Sequence, residues 1–362
     1  MRSPTGGRTA PAWGIEHDAP STTGTTPLHP TPPPDTSAHA AWEGFRRMQD
    51  FLNFLVLGLT RGSMYALIAL GYTLVYGVLQ LINFAHSEVF MSGAFGSYLV
   101  VNSIAGNQIL PWYGVIGVLI CGMASGAVVG AVVALALERV AYRPLRRRGA
   151  PKLAFLISAI GMSFFLSQLA GKLFNRQKNN FFPEYFDQNK RIIEVDGVVV
   201  TLLQAIIVVS ALLMMLFLDR LVSQTKLGRS IRGVAEDAPT AALMGINIDK
   251  TIARTFIIGG ALGGAAGFLF GTAFGFFNTM GFIPGVKAFA AAVLGGIGNI
   301  RGAMLGGLLL GVVEALVPTA PWGGGQSWIG LEWTDVVAFV VLVLILVFRP
   351  SGILGERLGR AA

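Results

Sequence analysis

Long apolar runs dominate the chain from residue 51 onward, and short polar stretches separate them. About 20 predominantly apolar residues are enough for a helix to cross the hydrocarbon core of a bilayer. The pattern therefore predicts an all-α protein, a polytopic transmembrane helical bundle with roughly eight or nine membrane segments. The candidate spans, several of them short, are 51–81, 89–101, 112–137, 153–173, 200–218, 252–277, 286–297, 303–317 and 336–348.

The amino-acid composition agrees with a membrane protein and argues against a soluble or nucleic-acid-binding one. Hydrophobic residues make up 53% of the chain and charged residues only 13%, whereas a soluble domain carries about a quarter charged residues. In a soluble chain the net charge of +8 would suggest nucleic acid. Here the basic residues cluster in particular loops, as the positive-inside rule expects of a membrane protein. We therefore expect a lipid bilayer around the chain and no nucleic-acid partner.

The N-terminal segment, residues 1–47, has a different composition from the rest. It is rich in Pro, Thr, Ser, Gly and Ala, and it holds three of the four histidines, His17, His29 and His39. Nothing in it is periodic, which predicts a disordered extension ahead of a transmembrane domain at 48–362. Two explanations stay open for it: that translation begins at Met48, or that it is a variable tail.

Loop charges predict the orientation of the bundle. Basic residues crowd the loops 139–152 and 219–254 and the tail after 348, which predicts that these lie in the cytoplasm. The loops 174–199 and 318–335 carry balanced charge or no basic residue, which predicts the external side. Nine spans would start the bundle outside, whereas Arg46 and Arg47 favour the inside.

A polar island at 219–251 interrupts the apolar runs on the predicted cytoplasmic side. Glu236 and Asp237 precede Pro239, alanines follow, and Gly245 stands at the end. Pro in a first turn and Gly after a last turn are helix start and stop signals. We predict a short helix at the membrane surface that needs a protein partner.

A few polar side chains lie beside or within apolar runs. Asn83, His86 and Glu88 follow the first span, and Glu314 lies inside the run 308–317. Polar groups at membrane depth are costly unless they pair or line water. The first three are either a pathway element or an ordinary interfacial turn, and Glu314 faces either a cavity or the external end. Lys287 is interpreted as marking a membrane interface.

Glycines recur at four-residue spacing in three places. The ladders are Gly122/Gly126/Gly130, Gly263/Gly267/Gly271/Gly275, and Gly302/Gly306 with Gly307/Gly311. Residues four apart stack on one face of a helix, and without side chains there another backbone approaches closely. Static packing and a sliding interface both fit this pattern.

Catalytic and cofactor motifs are absent from the sequence. The Gly-rich turn at 293–302 lacks the Gly-Lys-Ser/Thr of a phosphate-binding loop. Cys121 is the single cysteine, and His86 is the single histidine after residue 47, so no metal cluster is predicted. We expect no cofactor, no metal and no catalytic site, hence a protein that is not an enzyme.

The run 58–77, GLTRGSMYALIALGYTLVYG, resembles the opening of LivH-type permeases of branched-chain amino acid ABC transporters. The run 82–86, the loop 219–246, the turn 295–302 and the ending 348–352 continue this resemblance, which covers about residue 50 to the end. Family members carry Gly where this chain has Ser87, and they start near Met48. Both departures leave the expected fold unchanged.

The resemblance implies a permease subunit in the inner (plasma) membrane, part of an ATP-driven importer. Its implied partners are a LivM-like second permease, two cytoplasmic ATP-binding subunits and an external solute-binding protein. The polar island would then couple to the ATPase through Glu236, Asp237, Ala241, Ala242, Gly245 and Ile246. Pathway candidates are Asn83, His86, Glu88 and Glu314, and helix-packing candidates are Gly263, Gly267, Gly271 and Gly275.

Two alternatives stay open at this point. A stand-alone secondary transporter or channel would need intramembrane carboxylates for ion coupling, and Glu88 and Glu314 are the candidates. The solute is also open, since the resemblance implies branched-chain amino acids but also allows urea, amides or aromatic acids.

Overall fold

The computed structural model describes residues 36–106, 108–174, 180–188, 190–195, 197–316, 333–349 and 351–355. The chain divides into two compact units, Met1–Arg46 and Arg47–Ala362. The first is described only over residues 36–46, which are helical, and the second holds all the other elements. Most of the predicted extension lies outside the described residues, so the division at residue 47 stays a prediction.

The described part is built almost wholly of helices. A five-residue π-helical segment, Glu138–Tyr142, directly follows the third helix. In chain order the elements are α1 (Thr36–Leu79), α2 (His86–Ala105), α3 (Trp112–Leu137), α4 (Arg143–Arg147), α5 (Lys152–Leu173), β1 (Arg191–Val195), β2 (Val198–Thr201), α6 (Leu202–Gln224), α7 (Lys226–Glu236), α8 (Ala238–Leu243), α9 (Ile248–Phe274), α10 (Phe282–Gly295), α11 (Ile300–Leu316) and α12 (Thr334–Phe348).

Five helical stretches of the described chain are by themselves long and apolar enough to cross a membrane. They are Met48–Leu79, Trp112–Arg147, Lys152–Leu173, Leu202–Gln224 and Ile248–Phe274. The shorter or less apolar helices α2, α10, α11 and α12 coincide with the remaining predicted spans. The prediction of an all-α, multi-pass helical bundle is confirmed.

Helix α9 packs against both α2 and α3 through glycine faces. A Cβ added at Gly130 of α3 would lie 2.8 Å from the Cα of Gly264. Gly263 and Gly267 face α2, where His86 and the Phe90 backbone occupy the space of a side chain. Gly275 instead follows the last residue of α9, at φ +75°. Close backbone approach in lipid depends on such small residues, which explains why these three helices pack closely together.

A two-stranded antiparallel sheet, β1 with β2, lies in the loop between α5 and α6. Its turn touches the start of the membrane part of α1, since Asn53 Nδ2 donates to Gly197 O at 3.1 Å and Asn53 Oδ1 accepts from Val199 N at 2.9 Å. Loop charge predicts that this sheet lies outside. On that prediction the membrane part of α1 starts outside too, as nine spans require.

Candidate functional site

A cavity of about 900 Å³ opens between α1, α5, the end of α9 and the segment 277–287, with α11 behind. Its wall is mostly apolar and includes Met64, Ile160, Phe164, Phe274, Phe277 and Ile283. A few charged and hydroxyl side chains interrupt this wall at two levels. This combination of an apolar lining with few polar groups is typical of a site for a small molecule.

The outer level is a charged cluster of Arg61, Lys287, Glu314 and Asp335. Lys287 Nζ lies 3.0 Å from Glu314 Oε1 and 2.6 Å from Asp335 Oδ1, and Arg61 Nη1 lies 3.6 Å from Glu314 Oε1. Tyr65 donates its hydroxyl hydrogen to the same Glu314 oxygen at 3.3 Å. Two cations thus face two carboxylates, which compensates the charge of Lys287, only 6% exposed, and of the buried Glu314.

The inner level is a polar floor of Tyr72, Ser87, Glu88 and Ser163. Glu88 is 2% exposed and lies in the first turn of α2. Its Oε1 accepts a hydrogen bond from Ser163 Oγ at 3.2 Å, whereas its Oε2 has no hydrogen-bond partner among the described residues. No Lys, Arg or His of the described chain forms an ion pair with it. The positive end of the α2 dipole is the remaining favourable electrostatic contribution to this carboxylate.

The two levels are separated along α1. Tyr65 touches the charged cluster, and Tyr72 of the polar floor follows seven residues later on the same helix. A helix rises 1.5 Å per residue, so the floor lies about 10 Å deeper than the cluster. With the predicted orientation of α1, the cluster is expected nearer the external face and the floor nearer the middle of the bundle.

Two of the four predicted pathway residues, Glu88 and Glu314, line the cavity. The other two lie behind its floor: Asn83 Oδ1 accepts from Tyr142 Oη at 2.8 Å, and the buried ring of His86 packs edge-on to Tyr72. These contacts hold the start of α2 in place. The pathway roles of all four stay predictions.

Sequence reasoning missed several cavity residues. Arg61 carried a signal, because a cation inside an apolar run needs an explanation. Ser163 carried none, since isolated serines are ordinary in membrane helices. No sequence signal indicated that the Lys287 side chain is buried between two carboxylates, and its position at a membrane interface stays a prediction.

The polar island folds as two helices, α7 and α8, followed by a tight turn. The predicted short helix is present, but it begins at Ala238, because Asp237 adopts an extended conformation and separates it from Glu236 at the end of α7. Pro239 lies in its first turn, as predicted. Gly245 follows it at φ +84°, a backbone conformation that favours glycine.

The end of α8 exposes apolar side chains. Leu243 is 88% exposed and Met244 79% exposed, whereas Ala241 is buried against the bundle. Exposed apolar groups at the end of a short surface helix favour a protein partner. Sequence reasoning gave Ala242, Gly245 and Ile246 this role and overlooked the two larger side chains.

An arginine cluster joins this segment to the membrane helices. Asp249, at the start of α9, lies 3.1 Å from Arg143 Nη2, 2.6 Å from Arg146 Nη2 and 3.2 Å from Arg147 Nη2. Arg146 also lies 3.1 Å from the buried Glu138, the first residue of the π-helical segment. The same segment ends at Tyr142, which bonds to Asn83 beside the polar floor. Polar contacts at both ends of the π-helical segment therefore connect the polar island with the start of α2.

Comparison with known proteins places this geometry in context. A family model described as the permease component of branched-chain amino acid transport systems matches residues 54–346. The high-affinity branched-chain amino acid transport system permease protein BraD of Pseudomonas aeruginosa is 45% identical over 311 residues, 84% of this chain and 96% of that protein. The corresponding permease LivH of Escherichia coli is 41% identical over 310 residues, again 84% and 96%.

A shorter match involves a second type of permease. The probable branched-chain amino acid transport permease LivM of Methanocaldococcus jannaschii is 30% identical over 165 residues, 42% of this chain and 46% of that protein. No solved structure matched the chain.

Proposed function

Because the chain belongs to the family of permease components of branched-chain amino acid transport systems, we propose that it imports branched-chain amino acids or a related small polar solute by alternating access. It is a multi-pass inner-membrane subunit of a transport system, and its relatives are transport permeases rather than enzymes. Since those relatives are components of larger systems, a stand-alone secondary transporter or channel is not favoured.

The translocation route in this proposal is the cavity. Its apolar wall suits a branched aliphatic side chain, and its charged and hydroxyl groups suit the polar end of an amino acid. Urea and simple amides would suit this lining less well, because they carry neither an apolar branch nor a formal charge. Aromatic acids carry both and stay the alternative substrate class. Branched-chain amino acids are therefore the proposed substrate class.

The observation that carries the coupling proposal is the exposed apolar end of α8, Leu243 and Met244. A cytoplasmic ATP-binding subunit that receives these side chains in a groove would move α8 as it closes around ATP. The arginine cluster on Asp249 would transmit this movement to α9 and to the π-helical segment. Glu236, Asp237, Ala241, Ala242, Gly245 and Ile246 shape this lever.

The proposed assembly has four kinds of subunit besides the bilayer. A LivM-like permease pairs with this chain, two cytoplasmic ATP-binding subunits supply the work, and an external solute-binding protein delivers the solute. The partial similarity to a LivM permease supports a pair of related permeases, because related chains form pseudo-symmetric pairs.

Reconstitution tests this function. The chain and its candidate second permease are placed in proteoliposomes with or without the ATP-binding subunits, and uptake of labelled leucine is measured with the binding protein outside. We expect uptake that requires both ATP and the ATP-binding subunits. Robust uptake by this chain alone would contradict the proposal.

A matched pair of glycine variants tests the coupling segment. Gly245 and Gly149 both have positive φ, +84° and +63°, and a side chain at either would enter open space. Leu at each position therefore carries the same kind of backbone strain, about 1–2 kcal/mol. Gly245→Leu should leave ATP hydrolysis running with little solute uptake, whereas Gly149→Leu should keep the two coupled. Equal coupling in both variants would rule out docking at α8.

A further inference from the structure

The polar floor contains a buried carboxyl group that no cationic side chain of the described residues pairs with. Glu88 is almost fully buried, one carboxylate oxygen accepts from Ser163, and the other has no hydrogen-bond partner within the part of the chain that the structure describes. A buried carboxylate without a cation is costly, so its burial requires an explanation.

The free oxygen faces the cavity segment 277–287. A Cβ added at Gly281 would lie 2.4 Å from Ser87 O and 3.3 Å from Glu88 Oε2, so a side chain at this position would press on the start of α2 and on the carboxylate. Ser87, whose hydroxyl donates to Phe84 O at 2.8 Å, also lines the cavity beside it. Ser163 thus orients the carboxylate through one oxygen, and the other oxygen is buried without a partner at the edge of a cavity that Glu88 lines.

The other cavity glutamate, Glu314, is paired with cationic side chains of the same cavity lining. At the outer level Lys287 and Arg61 approach Glu314, and Tyr65 donates to it. A cationic side chain was therefore compatible with this helix bundle, yet the described residues place none beside Glu88. The missing cation is best supplied by the transported molecule.

We propose that Glu88 is the recognition site for the ammonium group of the transported α-amino acid, with Ser163 as the residue that positions the carboxylate. An ammonium donates up to three hydrogen bonds, and the free Oε2 of Glu88 accepts one of them. The neighbouring Ile160, Phe164 and Phe277 surround the aliphatic side chain of the same molecule. This inference rests on the proposed import of amino acids and assigns one chemical group of the substrate to one residue.

Charge-selective labelling tests the site without requiring transport. In the assembled transporter, Cys121→Ser removes the exposed native thiol, and Ile160→Cys places a reporter on α5 one turn from Ser163. The probes are 2-aminoethyl and 2-sulfonatoethyl methanethiosulfonate, which carry an ammonium and a sulfonate. Each labelling rate is divided by the rate of the same reagent with a free thiol in solution. With Glu88 present, this normalised rate should be about tenfold or more higher for the ammonium reagent than for the sulfonate reagent.

Substitution of Glu88 decides the outcome. Glu88→Gln should abolish the preference for the ammonium reagent at Ile160→Cys, and Glu88→Asp should keep it. A second reporter, Ile283→Cys, lies one turn from Lys287 in the charged cluster. The ratio of its labelling rates with the two reagents should be the same whether residue 88 is Glu or Gln. An unchanged preference in Glu88→Gln would overturn the proposal. If Glu88→Gln fails to assemble, the Glu88→Asp variant decides, since loss of the preference there contradicts a charge-based site.

Competition identifies the group that is recognised. Leucine should slow labelling at Ile160→Cys, whereas 4-methylpentanoate, which has the same carbon skeleton and carboxylate but no ammonium, should not. Equal protection by both compounds would overturn ammonium recognition. Protection by leucine in a transporter that shows no ATP-dependent uptake would support the site and contradict the proposed import function, so the two failures are distinguishable.

Discussion

The charged cluster and the polar floor hold one buried glutamate each, and the two are treated differently. Glu314 contacts Lys287 and lies within reach of Arg61, whereas Glu88 has a serine hydroxyl and the end of a helix. A compensated pair stabilises a particular packing of helices, and an uncompensated carboxylate raises the free energy of the empty site. The difference indicates two roles. The charged cluster connects α1, α10, α11 and α12 through ion pairs, whereas the polar floor is the proposed binding site for the ammonium group.

The largest expected effect comes from removing a cation of the charged cluster. Lys287→Met leaves Glu314 and Asp335 without their closest partner, and breaking a buried pair in this way costs about 3–5 kcal/mol. We expect much less folded protein in the membrane and a lower unfolding temperature in detergent. Adding Glu314→Gln to Lys287→Met should recover most of the loss. A stable single variant would show that the cluster does not hold these helices together.

Removing the carboxylate of Glu88 should lower solute uptake without lowering the stability of the protein, unlike the change at Lys287. Glu88→Gln loses no ion pair, so the unfolding temperature should stay the same or rise, since a buried uncompensated charge is gone. Uptake of leucine should nevertheless fall by about tenfold or more, because a charge-assisted hydrogen bond to the substrate is lost. Uptake and thermal unfolding are measured on the same reconstituted preparation. If stability and uptake both fell, Glu88 would have a structural role like that of Glu314, and the proposed difference between the two glutamates would be wrong.

The smallest expected effect concerns the positioning residue. Ser163→Ala removes the hydrogen bond to Glu88 Oε1 but leaves the charge in place. We expect a rise of about two- to fivefold in the leucine concentration needed for half-maximal protection of Ile160→Cys, with the ammonium preference retained. Ser167→Ala is the matched control, because its hydroxyl donates to Asn278 O and not to a carboxylate. If both variants needed the same leucine concentration for half-maximal protection, Ser163 would have a structural role only.

Sequence reasoning was strong for the fold. Each predicted span corresponds to one helix, because a bilayer requires every backbone hydrogen bond to be satisfied within a helix and so makes apolar length informative. The resemblance inferred from the run 58–77 is confirmed by the matches to permease relatives. The two small strands between α5 and α6 were not predicted, since four or five β-branched residues in a loop are a weak signal.

Sequence reasoning was weaker for the site. Glu88 and Glu314 were singled out because carboxylates are rare in apolar runs, and both line the cavity. Nothing in the sequence indicated that Glu314 would meet Lys287, whereas Glu88 would meet hydroxyl groups and no cation. Leu243 and Met244 were overlooked because apolar residues beside a membrane segment are expected to be buried, whereas the structure exposes both.

The sequence by itself determined the class of protein, its helical membrane architecture and the family, because these depend on apolar length, loop charge and runs of residues along the chain. Only the tertiary structure decided which buried charges are compensated. Arg61 lies more than two hundred residues before Lys287 and Glu314, which are on successive helices, and their meeting depends on how α1, α10 and α11 pack. Pairing in a low-dielectric interior is a property of distances in space, and it is this pairing that separates a structural glutamate from one that is free to bind.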